Sequence, residues 1–122
     1  MRLWRSWFSR GPLPAPLVPQ INALRAALQG KSDDELSAAA MRAATLPEVI
    51  AVTAVTAARV LQLEMHDEQL QAAVELTAGH VVEMQTGEGK TLAAVPAIVW
   101  LARTHQGAVS YTHLTLPTSD LV

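Results

Sequence analysis

The sequence predicts an α/β chain. A helical N-terminal region leads into a strand, a phosphate-holding loop and a helix, the opening of a parallel sheet that is cut short. Three observations carry this reading. Val81-Val82-Glu83-Met84-Gln85-Thr86-Gly87-Glu88-Gly89-Lys90-Thr91 reads as a short apolar strand, a glycine-bearing loop and the first turn of a helix. Upstream of it, apolar residues recur at helical spacing in successive segments, each bounded by a capping or breaking residue. Downstream, Gly107 turns the chain toward a second strand at Ala108-Val109, and a strand–loop–helix–strand order starts a parallel sheet.

Taken in order, Met1 to Arg10 interleaves Arg2, Arg5 and Arg10 with Leu3, Trp4, Trp7 and Phe8. On a helix those four apolar residues share a face, giving a basic amphipathic segment suited to an anionic membrane surface. It is too short to span a bilayer. A terminus whose tryptophans dock on the protein is the plainer alternative. Gly11 to Pro16 is a breaker and linker. Ile21, Leu24, Ala27 and Leu28 predict a helix from Val18 to Gln29, closed by Gly30. Ser32, with Glu35 three residues on, opens a second helix from Asp33 to about Ala44 through a capping box.

Thr45 and Glu48 form a second such box, with Pro47 in the first turn, and the helix they open runs to about Leu63. Val49, Val52, Val55, Thr56, Val60 and Leu63 are expected along one face of it. Its β-branched residues suit a strand, but the run is too long and lacks strict alternation. Glu48 and Arg59 interrupt it, so it is not a membrane span. Asp67 is the expected cap of a fourth helix to about Leu76, with Leu70, Val74 and Leu76 apolar and Gly79 ending it. The strand then covers about His80 to Met84. The last helix covers Lys90 to about Thr104, with Leu92, Val95, Val99 and Trp100 on its buried stripe and Pro96 in its second turn.

The loop carries the chemistry. Gly87 and Gly89 permit backbone angles that turn successive N–H groups onto one anion. Thr86 and Glu88 complete the loop. The helix opening at Lys90 adds unpaired N–H groups and the positive end of its dipole. Lys90 supplies a mobile charge for the outer phosphates of ATP, and the Thr91 hydroxyl is the expected Mg²⁺ ligand. The strict pattern G-x-x-x-x-G-K-[ST] fails at one place, where Met84 replaces the first glycine. The bland alternative is a surface turn holding a chance Gly-Lys-Thr.

Composition bounds the rest. A 122-residue chain that is 50% hydrophobic and 16% charged is globular rather than disordered, and is one small domain or a piece of a larger one. Its net charge of -2 gives no general pull toward nucleic acid. There is no cysteine, hence no disulfide, thiolate metal site or thiol nucleophile. His66, His80, His105 and His113 show no metal-ligand spacing.

Leu46 to Val109 resembles the start of the motor domain of the SecA family, the ATPases that drive preproteins across the bacterial plasma membrane. The phrase Glu83 to Leu92 is similar to that family's first nucleotide motif, including the Met84 that breaks the strict pattern. Asp67-Glu68-Gln69-Leu70 is similar to its adenine-reading segment, and Lys31 to Leu36 to its early helix start, so the resemblance covers roughly Leu17 to Val109. It implies a RecA-like, helicase-type nucleotide-binding domain, truncated here. It also implies that Gln69 reads adenine through an amide that both donates and accepts. Where the family has an Arg and a Phe before that glutamine, this chain has Glu64 and His66. Outside this setting a lone glutamine is a solvated helix residue.

The implied organisation is a basic N-terminus and linker over residues 1–16, the start of the motor domain over 17–109, and a tail over 110–122. The tail, from Ser110-Tyr111-Thr112-His113, resembles the conceptual translation of a sequencing adapter and is expected to be non-native. The implied parent is a protein-transporting ATPase using ATP and Mg²⁺. Its partners would be a SecYEG-type translocon, preproteins and an anionic membrane surface, with no nucleic acid. Its place would be the cytoplasm, peripheral on the inner face of the plasma membrane. No downstream carboxylate motif remains, so the fragment is expected to lack turnover. The alternative is a fragment of a nucleic-acid helicase-type ATPase, which shares the motor fold.

Overall fold

The structure, a computed structural model, describes residues 2–4, 16–85, 87, 89–104 and 107. In chain order it contains β1 (Arg2–Trp4), α1 (Val18–Gln29), α2 (Asp33–Arg42), α3 (Leu46–Leu61), α4 (Asp67–Thr77), β2 (Val81–Glu83) and α5 (Lys90–Arg103). The expected second strand at Ala108-Val109 and the tail lie outside the described residues.

Both capping boxes form. The Glu35 carboxylate accepts the Ser32 N–H at 2.8 Å, and the Ser32 hydroxyl accepts the Glu35 N–H at 3.2 Å. Glu48 accepts the N–H groups of Thr45 and Ala44 at 3.0 and 2.9 Å. These backbone donors favour the charged form. Glu35 is held below the usual glutamate range chiefly by the Ser32 N–H and then its hydroxyl, and Glu48 by the N–H of Thr45 and then of Ala44. A lowered folded-state pKa stabilises above the ordinary glutamate value, and that contribution goes as pH falls through the lowered one. Acid should therefore fray the starts of α2 and α3, and Glu35→Gln with Glu48→Gln should flatten that part of the acid-stability profile measured by helix content.

The fourth cap differs from the expectation. His66 is the N-cap of α4 and Asp67 its first residue. The Gln69 Oε1 accepts the His66 N–H at 2.8 Å, while the Asp67 carboxylate accepts from Asn22 Nδ2 at 2.9 Å on α1. Asp67 thus joins two helices instead of closing one.

α3 is the central element, packed by α1, α2 and α5. The main core joins Ile21 of α1, Ile50, Ala51 and Ala54 of α3, Met65 of the connector, and Leu70, Ala73 and Val74 of α4. The apolar face read along α3 holds for Val49, Val52 and Val55 and then stops. Val60 and Leu63 are 73% and 52% exposed. Gln62 follows in a left-handed turn, φ 56°, and the helix ends there rather than at Leu63.

The buried stripe of α5 also differs from the sequence reading. It is Ala93, Pro96 and Ala97, with Leu92, Val95, Val99 and Trp100 half-buried around it. Small residues let α5 lie close to α4, whose Ala72 shares a buried cluster with Ala93 and Met84. Larger side chains on that stripe would hold the helices apart. Two arginines tie helix ends together. Arg59 donates to the carbonyls of Gln29 and Lys31 at 3.1 and 2.6 Å, closing α1, and Arg103 donates to the carbonyl of Ala40 at 3.0 Å, fastening α5 to α2.

β2 lies against α4, with Val82 packed on the Ala72–Met84–Ala93 cluster and Val81 60% exposed on the opposite face. Its partner is β1, antiparallel, in the register Arg2↔Glu83, Leu3↔Val82 and Trp4↔Val81. One expectation is corrected here. The N-terminal residues Arg2–Trp4 are extended, not helical, and pair antiparallel with β2, while the parallel partner expected at Ala108-Val109 lies outside the described residues. A strand edge is a row of unpaired donors and acceptors, and the extended N-terminus satisfies it. Among the described residues no helix is long and apolar enough to cross a membrane.

Candidate functional site

The site grows from the junction of β2 and α5. Val81–Glu83 ends at Met84, buried on the alanine cluster, which anchors the chain before it turns outward. Gly87 and Gly89 then take left-handed backbone angles, φ 90° and 74°, which a side chain disfavours. Thr86 and Glu88, expected in the loop, lie outside the described residues. Gly89 is the N-cap of α5, and the first intrahelical bond runs from the Ala93 N–H to the Gly89 carbonyl at 3.0 Å. The N–H groups of Lys90, Thr91 and Leu92 are therefore free of intrahelical partners.

That helix start is left open. α2 and α3 carry capping boxes and α4 is closed by Gln69, each with acidic residues in the first turn. α5 has no side-chain cap and no acidic residue there. Lys90 and Thr91 are both exposed. Lys90 borders an open depression along Val81 to Met84, and it has no hydrogen-bond or ion-pair partner among the described residues. Free donors, a positive dipole end and an exposed ammonium together favour an anion.

On the other side of the loop lies a cleft of about 370 Å³ lined by Leu63, Glu64, His66, Glu68, Gln69, Gly87, Gly89 and Leu92. Gln69 enters it from the first turn of α4, 6% exposed. One end of its amide is held by the His66 N–H, and its Nε2 lies 3.4 Å from the Gly89 carbonyl. The amide expected to meet a base therefore touches the loop expected to meet phosphates. The structure thus gathers Gln69, Gly87, Gly89, Lys90 and Thr91 at one place. Glu64 and His66, which stand where the resembled family has an Arg and a Phe, line this cleft. Leu63, Glu68 and Leu92 were missed, since each reads as an ordinary helix or connector residue and only the fold faces them toward Gln69.

A Cβ added to Gly89 would lie 2.3 Å from Gln69 Nε2, whereas one added to Gly87 meets nothing within 4 Å. Both positions cost an L-residue roughly 1–2 kcal/mol of backbone strain. Gly89→Ala should lose that and also expel the Gln69 amide, so its melting temperature should fall below that of Gly87→Ala. Equal melting temperatures would mean that Gln69 does not press on the loop.

The SecA DEAD-like domain matches residues 14–112. A protein translocase subunit SecA of Clostridium botulinum (strain Alaska E43 / Type E3) is 41% identical over 90 residues, 65% of this chain and 11% of that protein. The protein translocase subunit SecA 1 of Magnetococcus marinus is 38% identical over 104 residues, 76% of this chain and 12% of that protein. The SecA of Gluconobacter oxydans is 38% identical over 101 residues, 74% of this chain and 11% of that protein. The chain therefore spans about a ninth of the length of these relatives. No solved structure gives a significant match. With the match running from the linker through the last described residue, this chain belongs to the SecA DEAD-like domain family.

Proposed function

We propose that the chain is the nucleotide-binding start of an ATP-driven preprotein motor of RecA-like, helicase-type fold. The observation that carries this reading is the uncapped start of α5, with Lys90 exposed and unpaired among the described residues beside two left-handed glycines. The phosphates of ATP would meet the free N–H groups from Gly89 into the first turn, with Lys90 on the outer ones and the residues of the loop, Thr86 to Gly89, around them. The adenine would lie in the cleft, between Leu63 and Leu92, with the Gln69 amide at its edge. Charge sets this orientation. Glu68 faces the cleft and repels phosphate, whereas Lys90 and the α5 dipole attract it.

The loop fits a Mg²⁺–ATP complex, because Thr91 stands exposed in the first turn of α5, which carries no acidic residue. Thr91 would hold the ion through its hydroxyl, and the ion would neutralise phosphate charge. Among the described residues no group of acidic or histidine side chains could hold a metal alone, and phosphoryl transfer calls for such groups beside the loop. On the relatives' naming as translocase subunits, the parent would couple hydrolysis to preprotein export at a SecYEG-type translocon. It would act on the cytoplasmic side of the plasma membrane, touching anionic lipid through its basic N-terminus.

The purified 122-residue chain should bind Mg²⁺–ATP weakly and saturably without hydrolysing it. Phosphate release that Lys90→Ala abolishes would refute the expected inactivity, and absence of any saturable binding would refute the nucleotide reading.

A further inference from the structure

The outer wall of the cleft is not built by the elements that line it alone. Between α3 and α4 the chain crosses from Gln62 to His66 as a connector. Met65 plugs it into the core at 3% exposure, while Leu63, Glu64 and His66 turn toward the cleft. Among the described residues α1 braces this connector through a run of side-chain hydrogen bonds. Arg25 Nη2 donates to the Glu64 carboxylate at 3.0 Å, and Arg25 Nη1 donates to Asn22 Oδ1 at 3.0 Å. Asn22 in turn donates through Nδ2 to the Asp67 carboxylate at 2.9 Å. The result is a continuous chain, Glu64–Arg25–Asn22–Asp67, which grips the connector on both sides of His66 and ends two residues before Gln69.

The contact is specific rather than incidental. The Arg25 side chain is only 12% exposed, and its Nε–H is buried with no partner among the described residues, whereas Glu64 stays 63% exposed. A buried orphan donor costs about 1–3 kcal/mol. An arginine placed there only to pack α1 would be replaced at a gain by an apolar residue. What the guanidinium contributes is a fork that holds an asparagine and a carboxylate at once, a geometry that lysine cannot match.

We infer that Asn22 and Arg25 are positioning residues for the nucleotide cleft: from a helix that contributes nothing to the lining, they set where the wall from Glu64 to Asp67 stands relative to Gln69 and the loop. The inference rests on the nucleotide reading above and extends it to residues that do not contact the ligand. The wall meets the base and not the phosphates, so its displacement should weaken ATP and spare a bare polyphosphate.

The test is a charge-reversal cycle on the full chain, in about 0.15 M salt, where the screening length is about 8 Å. Arg25→Glu and Glu64→Arg should each weaken Mg²⁺–ATP binding by roughly 5- to 10-fold, and the double reversal should return it to within about twofold. Mg²⁺–tripolyphosphate should bind the Arg25→Glu chain as tightly as the wild type. A general loss of folding would weaken both ligands, and that result, or a double reversal no better than the singles, overturns the inference. Amide hydrogen exchange of residues 62–69 without ligand provides an independent arm. Faster exchange in Arg25→Glu, recovered in the double reversal, supports the brace even if wild-type chain binds no ATP, an outcome that would remove only the nucleotide reading. Unchanged exchange overturns the brace.

Discussion

Lys90→Ala should weaken Mg²⁺–ATP binding by roughly 10- to 100-fold, the loss expected for charge-assisted hydrogen bonds worth about 1.5–3 kcal/mol. The expectation follows from what Lys90 does not do in the free chain. It is exposed and makes no hydrogen bond or ion pair among the described residues. Removing it breaks nothing structural, so thermal stability should move by no more than about 0.5 kcal/mol. Titration of a fluorescent ATP analogue, read beside a melting curve, separates the two effects. Lys90→Arg keeps the charge but spreads it over a planar fork, and should recover part of the affinity. If Lys90→Ala binds ATP as the wild type does, the ammonium takes no part and the proposed site is wrong.

His80→Leu should destabilise the fold by about 1–3 kcal/mol, the cost of leaving a buried polar group without its hydrogen-bond partner. Glu75, 2% exposed near the end of α4, has its carboxylate against the His80 imidazole and accepts from Gln71 Nε2 at 2.8 Å. His80 also donates its N–H to the Glu75 carbonyl at 3.0 Å. Without the imidazole a carboxylate is left inside the protein. The loss is large against the roughly 5–15 kcal/mol that stabilises a typical domain. Glu75→Leu with His80→Leu removes both polar groups and should restore most of the stability. Urea unfolding of the two variants decides between charge and packing: equal losses in single and double would show that shape alone matters there. The pair also sets the distance from α4, which carries Gln69, to the strand that feeds the loop. Nucleotide affinity should therefore fall with stability in the single variant and recover in the double.

The sequence made the local features legible and the long-range ones obscure. Ser32 with Glu35 and Thr45 with Glu48 mark helix starts because a capping box is completed within four residues. Gly87, Gly89 and Lys90 are legible for the same reason, since the loop's chemistry is contiguous. The cap of α4 was misplaced by one residue because Asp67 is spent on Asn22, 45 positions away. The buried stripe of α5 was misread because large apolar residues stand beside small ones. Which face lies inward depends on how closely α4 approaches, and the sequence of α5 alone does not contain that. Glu64 and Arg25 are 39 residues apart and each reads as a solvated charge. Nothing local distinguishes the pair. The pairing of β1 with β2 was unreadable for a related reason, since a three-residue strand takes its partner from whatever extended chain is near.

The most direct test of the account is an amide NMR titration of the 122-residue chain with Mg²⁺–ATP. The account predicts saturable shifts of the Gly87, Gly89, Lys90 and Thr91 amides and of the Gln69 side-chain NH₂, all with one dissociation constant. Shifts absent from these groups, or clustered on a different surface, would contradict it.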